Sequence, residues 1–229
     1  MALPPCSLRE HLFLFFVPLG LCKRLKGGDF LGRKSHYVQT VNHKDVDFLN
    51  ALRCSGVCTK NQATKNFISA NRLKNFVLDK TLEKCTFVTK EGKRQEVYRI
   101  SNEGKTWIRD HIPEIADRKF YSSTGVEHDL KIMYKIISLS REERLTLRSE
   151  GEIRDEFKQL LDKLLQEEEY ERYEQLYNAM QNHTISMPDL AYGVNQFYEV
   201  VTSSYLESQI MAKFEAVSVI GGNLQMERI

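Results

Sequence analysis

A chain of 229 residues, 41% of them hydrophobic and 28% charged, carries enough apolar material for a core in each of two modest domains, and nothing in its composition points to disorder. Thirty-three Lys and Arg against 31 Asp and Glu leave a net charge of only +2, so affinity for a polyanion has to come from where charge is placed. The five cysteines, Cys6, Cys22, Cys54, Cys58 and Cys85, are odd in number and scattered, which argues against a disulfide framework and a four-ligand zinc site and makes a reducing cytoplasm the expected location.

Residues 1–42 do not resemble the rest. Leu12 to Cys22 is an almost continuous apolar run, followed by Lys23, Arg24 and Lys26. A membrane-crossing helix needs about 20 residues, so no span is expected. Arg9 balanced by Glu10, and the lack of a small-residue cleavage pattern, also make the run a poor secretory signal. It is read as a leader or packing segment ahead of a domain at 43–113.

From Asp45 to Ile112 the order is helix, helix, helix, β-ribbon and closing helix, which is that of a winged helix-turn-helix. Val46, Phe48, Leu49, Leu52 and Arg53 give a helical face that Ser55-Gly56 stops. Thr59 caps a second helix running towards Phe67. Ser69 caps a third, with Leu73, Phe76, Val77 and Leu82 inward and Asn71, Arg72, Lys74, Asn75, Lys80 and Thr81 on the other face. Two alternating runs, Thr86–Thr89 and Glu96–Ile100, flank Lys90-Glu91-Gly92-Lys93-Arg94, a glycine turn with three cations at its tip. Ser101 opens a last helix with Trp107 and Ile108 inside.

Lys44 to Arg109 holds fourteen Lys or Arg against seven Asp or Glu, so the basic charge is concentrated here. A cationic helix face beside a cationic hairpin tip is what phosphate neutralisation requires, and Asn71, Arg72 and Asn75 have donors suited to base edges in a major groove. The expected DNA-binding set is Asn71, Arg72, Lys74, Asn75, Lys80, Lys90, Lys93 and Arg94. The competing reading is a protein-interaction module whose lysines only solvate it.

Residues 114–125, with Phe120-Tyr121 and two serines before Gly125, read as a linker to a second domain at 126–229. A helix is expected over Val126–Ser138, with His128 and Asp129 near its start in a capping role. Leu145–Arg148 reads as a short strand. Ser149 and Glu152 have capping-box spacing for a long helix through Phe157, Leu160, Leu161 and Leu164 into Glu167–Glu171. Twelve acids against six bases between Glu142 and Glu174 make that helix a solvated acidic face. Pro188-Asp189-Leu190, a turn at 192–195, a buried strand Gln196–Thr202, a helix Leu206–Val217 stopped by Gly221-Gly222, and an edge strand at 224–229 complete an α+β chain.

Helix with Glu, strand with Pro-Asp, strand with Glu, helix: this order resembles the core of the PD-(D/E)xK nucleases. The resemblance implies metal ligands at Glu150 or Glu152, Asp189 and Glu199 for Mg²⁺, with Asp189 and Glu199 catalytic. Val201 stands where that pattern places a lysine, and Lys213 from the following helix is the candidate substitute. Glu199 lies among apolar residues on a buried strand, where an unpaired carboxylate is costly, so it needs a partner or a metal. With the winged helix in front, and with Val97-Tyr98-Arg99-Ile100, His128-Asp129-Leu130, Pro188-Asp189 and Tyr198-Glu199-Val200 in that order, the chain is similar to the replication-relaxation proteins of plasmids and conjugative elements.

That resemblance implies a double-stranded-DNA-binding protein of a mobile element, acting in replication, relaxation or mobilisation. Replication or mobilisation proteins, and a second copy of the chain, stay open as further partners. A Mg²⁺-dependent nicking endonuclease is the first alternative and a transcription regulator the second. There is no Gly-rich phosphate loop or dinucleotide fingerprint, so no organic cofactor is expected.

Overall fold

Helix caps set the frame of the first half. In the computed structural model, which describes residues 37–89, 92–121 and 125–229, α1 (His43–Ser55) starts at Asn42, whose side chain accepts from the amides of Lys44 and Asp45. Gly56, at φ 82°, ends it in a conformation that disfavours a Cβ. A two-residue strand β1 (Cys58–Thr59) follows. Thr59 caps α2 (Lys60–Asn66) by accepting from Gln62, while the Gln62 amide oxygen accepts from the Thr59 N–H. Ser69 caps α3 (Ala70–Leu78). The strands β2 (Leu82–Val88) and β3 (Arg94–Ile100) form an antiparallel hairpin, β1 pairs with the other side of β3, and the order is β1-β3-β2. Ser101 caps α4 (Asn102–His111), and a single 3₁₀ turn covers Pro113–Ile115.

Two expectations need correction here. α3 ends at Leu78, so Lys80, Thr81 and Leu82 are not on it: Lys80 takes φ 60° and Leu82 opens β2. The stop has a local cause. The Asp79 carboxylate accepts from the amides of Tyr37 and Val38 at 2.8 and 2.7 Å, which holds the preceding chain across the helix end. The strands are also longer than the alternation indicated, because β2 and β3 pair without interruption from Leu82↔Ile100 to Val88↔Arg94.

The second half runs α5 (Val126–Ser138), α6 (Arg141–Leu145), β4 (Arg148–Ser149), α7 (Glu150–Gln166), α8 (Tyr170–Gln181), β5 (Leu190–Tyr192), β6 (Gln196–Val201), α9 (Glu207–Ile220) and β7 (Asn223–Arg228). Residues expected as a strand at 145–148 are mostly helix end and turn, since Ser140 and Glu143 form a capping box that starts α6. The single long acidic helix is two, broken where Glu168 adopts φ 61°, and Leu164 and Leu176 then share one core. The sheet order is β4-β5-β6-β7, antiparallel except for the parallel β6–β7 pair.

β6 is buried from Phe197 to Val201 because both faces of its sheet are covered. Leu190, Tyr192, Tyr198 and Val200 join a core with Phe48, Leu52 and Phe76 of the first half and Ile132, Met133 and Ile136 of α5. Ala191 and Phe197 face the opposite core, with Phe157, Leu161, Ala216 and Val217. The segment 114–125 is therefore no separator of cores. Ile112 and Ile115 are buried in the shared one, and the Tyr121 N–H donates to the Arg53 carbonyl at 2.9 Å. The chain from residue 36 onward is one compact unit of mixed α+β structure. Among the described residues no helix is long and apolar enough to cross a membrane. The apolar run Leu12–Cys22 and the tip residue Lys90 lie outside the described residues.

Candidate functional site

Strand alternation puts Glu199 on the face of β6 that looks towards α9, and there it meets Lys213. The Lys213 ammonium lies 3.0 Å from Glu199 Oε1 and donates to the Met187 carbonyl at 2.6 Å. The Tyr205 hydroxyl donates to the same Oε1 at 3.0 Å, and the Asp189 N–H donates to Oε2 at 3.0 Å. Glu199 is 0% exposed, so these donors replace the water it has lost. Burial and the Asp189 charge push its carboxyl up to about 7, against the pull of Lys213 and Tyr205. Burial, together with the Glu199 charge, raises the Tyr205 phenol as well.

Asp189 stands beside this pair just before β5. Its Oδ2 accepts from the Val200 N–H at 2.8 Å and lies 3.1 Å from His128 Nε2. The other imidazole nitrogen is 3.3 Å from Asp129 Oδ1 and 3.5 Å from the Tyr121 hydroxyl. Burial lowers the His128 pKa, but the carboxylates of Asp129 and Asp189 outweigh it and raise it to about 10. The imidazole is thus a cation between two carboxylates at neutral pH. His128 is more than a helix-start residue, because its partner Asp189 is 61 positions away in the chain. Nothing in the sequence signals Tyr205, and only the adjacency of His128 and Asp129 marked the other residue that sequence reasoning left out of the site.

A cleft of about 740 Å³ opens on this cluster. His128, Asp189, Tyr205 and Lys213 line one side, Glu150 at the start of α7 another, and Phe87, Val88 and Thr89 of the hairpin a third. Glu150, Asp189 and Lys213 therefore share one cavity, with Glu199 directly behind it. Glu152 does not join them. Its carboxylate accepts from Arg53 at 2.7 Å, from Arg118 and from the Ser149 N–H at 2.8 Å. Burial would raise the Glu152 carboxyl, but Arg118 and Arg53 hold it down at about 2. It is a joint between α1 and α7, and both of its oxygens are engaged by arginines.

The donor set does not suit a hard divalent cation as it stands. Both Glu199 oxygens are already engaged, two cations occupy the space between the acids, and among the described residues no group of three or more His, Cys, Asp or Glu side chains could hold a metal ion.

The residues expected to contact DNA are dispersed by degree of engagement. Asn71 and Lys74 are exposed on α3 and Asn75 is half-buried. Arg72 is committed elsewhere: its Nε and a terminal nitrogen bind both oxygens of the buried Asp45 at 2.9 and 2.5 Å. Lys80 leaves α3 and lies 3.5 Å from Glu103. Lys93 and Arg94 are exposed at the base of the hairpin tip. Lys60 and Lys84, which sequence reasoning missed, line a groove of about 500 Å³ with Asn71 and Lys74. No protein-family model, curated protein or solved structure matches the chain.

Proposed function

We propose that this chain binds duplex DNA, and that residues 43–113 are a winged helix with α3 as the major-groove helix and the β2–β3 hairpin as the wing. The observation that carries the reading is the arrangement α1-β1-α2-α3-β2-β3, closed by the sheet order β1-β3-β2, in the segment where fourteen basic residues outnumber seven acidic ones. Asn71 and Lys74 on the open face of α3 offer base-edge and phosphate donors, and Lys60 beside them adds a cation. Arg72 pairs with Asp45 and so holds α3 against α1, which leaves Asn71 and Lys74 as the less engaged candidates on that helix. The more particular reading, from the resemblance in motif order, is a DNA-binding protein of a mobile element that acts in replication, relaxation or mobilisation.

The test is the salt dependence of duplex affinity for the full chain and for Asn71→Ala/Lys74→Ala. The expected result is a steep loss with salt and roughly tenfold weaker binding in the variant. Equal affinity in the two proteins removes α3 from the interface. Arg72→Ala is a poor probe because it strands the buried Asp45 carboxylate.

A second reading, phosphodiester cleavage, is favoured by the meeting of Asp189, Glu199, Lys213 and Glu150 at one cleft beside the wing. It requires Mg²⁺, for which the site as folded has too few open ligands. Incubation with supercoiled plasmid in Mg²⁺ or Mn²⁺ checks it, alongside Glu199→Gln and a chelator control. Metal-dependent nicking lost in the variant establishes a nuclease; retained DNA retardation without nicking leaves the cluster as scaffold.

A further inference from the structure

A second group of cations lies beside the start of α3, in a pocket distinct from the groove that holds Asn71 and Lys74. A pocket of about 650 Å³ is lined by Lys44 at the start of α1, Lys65 at the end of α2, Ser69 at the start of α3, Arg72, and Arg141 and Arg144 of α6. Five of its lining residues are Lys or Arg, against Asp45 and Asp47. Asp45 is consumed by Arg72, and Asp47 has only a 3.4 Å contact with Arg141. Lys65 is exposed, and the described structure gives it no ion-pair partner.

Arg144 is fixed in place, its guanidinium 5.5 Å from the centre of the Phe67 ring and one terminal nitrogen donating to the Leu139 carbonyl at 3.0 Å. Its Nε is a buried donor with no acceptor. The Arg144 carbonyl accepts from Asn50 of α1 at 3.0 Å, so α6 is anchored to the first half where it contributes to the pocket.

A helix with its side chains is about 10–12 Å across and the major groove about 12 Å wide. When α3 enters a groove, the phosphates forming the groove wall must lie against what flanks the start of the helix. What flanks it here is the Phe67–Ser69 turn and this pocket. We propose that the pocket is a phosphate site seating the backbone of the bound duplex, with Lys65, Arg141 and Arg144 as its cationic contacts. The second half of the chain is thereby part of the DNA-binding surface, and this rests on the duplex-binding reading above.

The test compares the full chain with Lys65→Ala/Arg141→Ala, both positions being exposed and outside the core. Duplex affinity is measured from low to moderate salt, with Lys163→Ala on the acidic α7 as control. Amide shifts are also followed on adding inorganic phosphate. The expected result is about tenfold weaker binding, a salt slope reduced by nearly one per cation removed, and phosphate-induced shifts at Lys65 and Ser69. Unchanged affinity and slope in the double variant, with normal binding by the parent, overturn the pocket while the duplex reading stands. If the parent fails to bind duplex, that reading falls; phosphate shifts at Lys65 and Ser69 then make the pocket a site for phosphate from another source, and their absence overturns the site altogether.

Discussion

Single ionisable side chains do most to distinguish this molecule from its pattern of helices and strands. His128 has a pKa of about 10 against 6.5 for a free imidazole. A cation whose pKa is raised on folding contributes stability that is complete below the unfolded value and lost as pH climbs through the folded one. Glu199, raised from 4.5 to about 7, slopes the same way over its own window, because the folded state holds a proton that the unfolded chain has released. Glu152, lowered from 4.5 to about 2, slopes oppositely and its contribution is lost on acidification through that range. Urea unfolding should therefore show stability declining from pH 6.5 towards pH 10. His128→Gln should be less stable than the parent at pH 6 and should lose most of the decline between about pH 7 and pH 8.5, below the range in which the unfolded thiols ionise. A parent curve without that decline would show that His128 is not held as a cation by Asp129 and Asp189.

The elements meet at places where backbone touches backbone, and those contacts allow few residue types. Gly104, in the first turn of α4, lies so close to the residue that precedes β2 that a Cβ there would sit 1.9 Å from the Thr81 carbonyl oxygen. The same carbonyl accepts from the Ser101 N–H at 3.1 Å, so α4 and β2 are pinned together at the helix start. Gly104→Ala should cost several kcal/mol, roughly 2–4, by forcing the helix off the strand, although alanine is the better helix former. A denaturant midpoint equal to the parent's would mean that the approach is looser than described. Much at this scale was legible beforehand: Thr59, Ser69 and Ser101 are caps because their short oxygen-bearing side chains accept an unpaired amide at each helix start, and at Ser149 the Glu152 carboxylate accepts from the residue's own N–H and hydroxyl. The break between α7 and α8 was not legible, because Glu167–Glu169 are ordinary helix residues and the core that Leu164 and Leu176 share is formed only in the folded chain.

At the scale of the molecule, the two halves of the described chain share one core. Arg53, 0% exposed at its side chain, reaches from α1 to Glu152 of α7 and to the Lys119 carbonyl, and the central core takes residues from α1, α3, α4, α5 and β6. Trp107 is the only tryptophan and lies in the first half, whereas α7, α8 and α9 dominate the helix content of the second. Tryptophan fluorescence and far-ultraviolet dichroism should accordingly report coincident urea transitions. Two separated midpoints would show that 43–113 and 126–229 unfold as independent domains.

The sequence by itself determined the order and type of most elements, the concentration of basic charge between Lys44 and Arg109, and the need of Glu199 for a partner. These follow from periodicity, caps and turns acting over a few residues, and from the cost of a carboxylate inside an apolar strand. The tertiary structure decided which partners were chosen. It gave Lys213 to Glu199, His128 to Asp189, Arg72 to Asp45 and Glu152 to Arg53, and it merged the cores on either side of the expected linker. Charge pairs such as Arg53 and Glu152, 99 positions apart, leave no periodic trace, because an ion pair depends on distance in space and many equally suitable acids and bases compete along the chain.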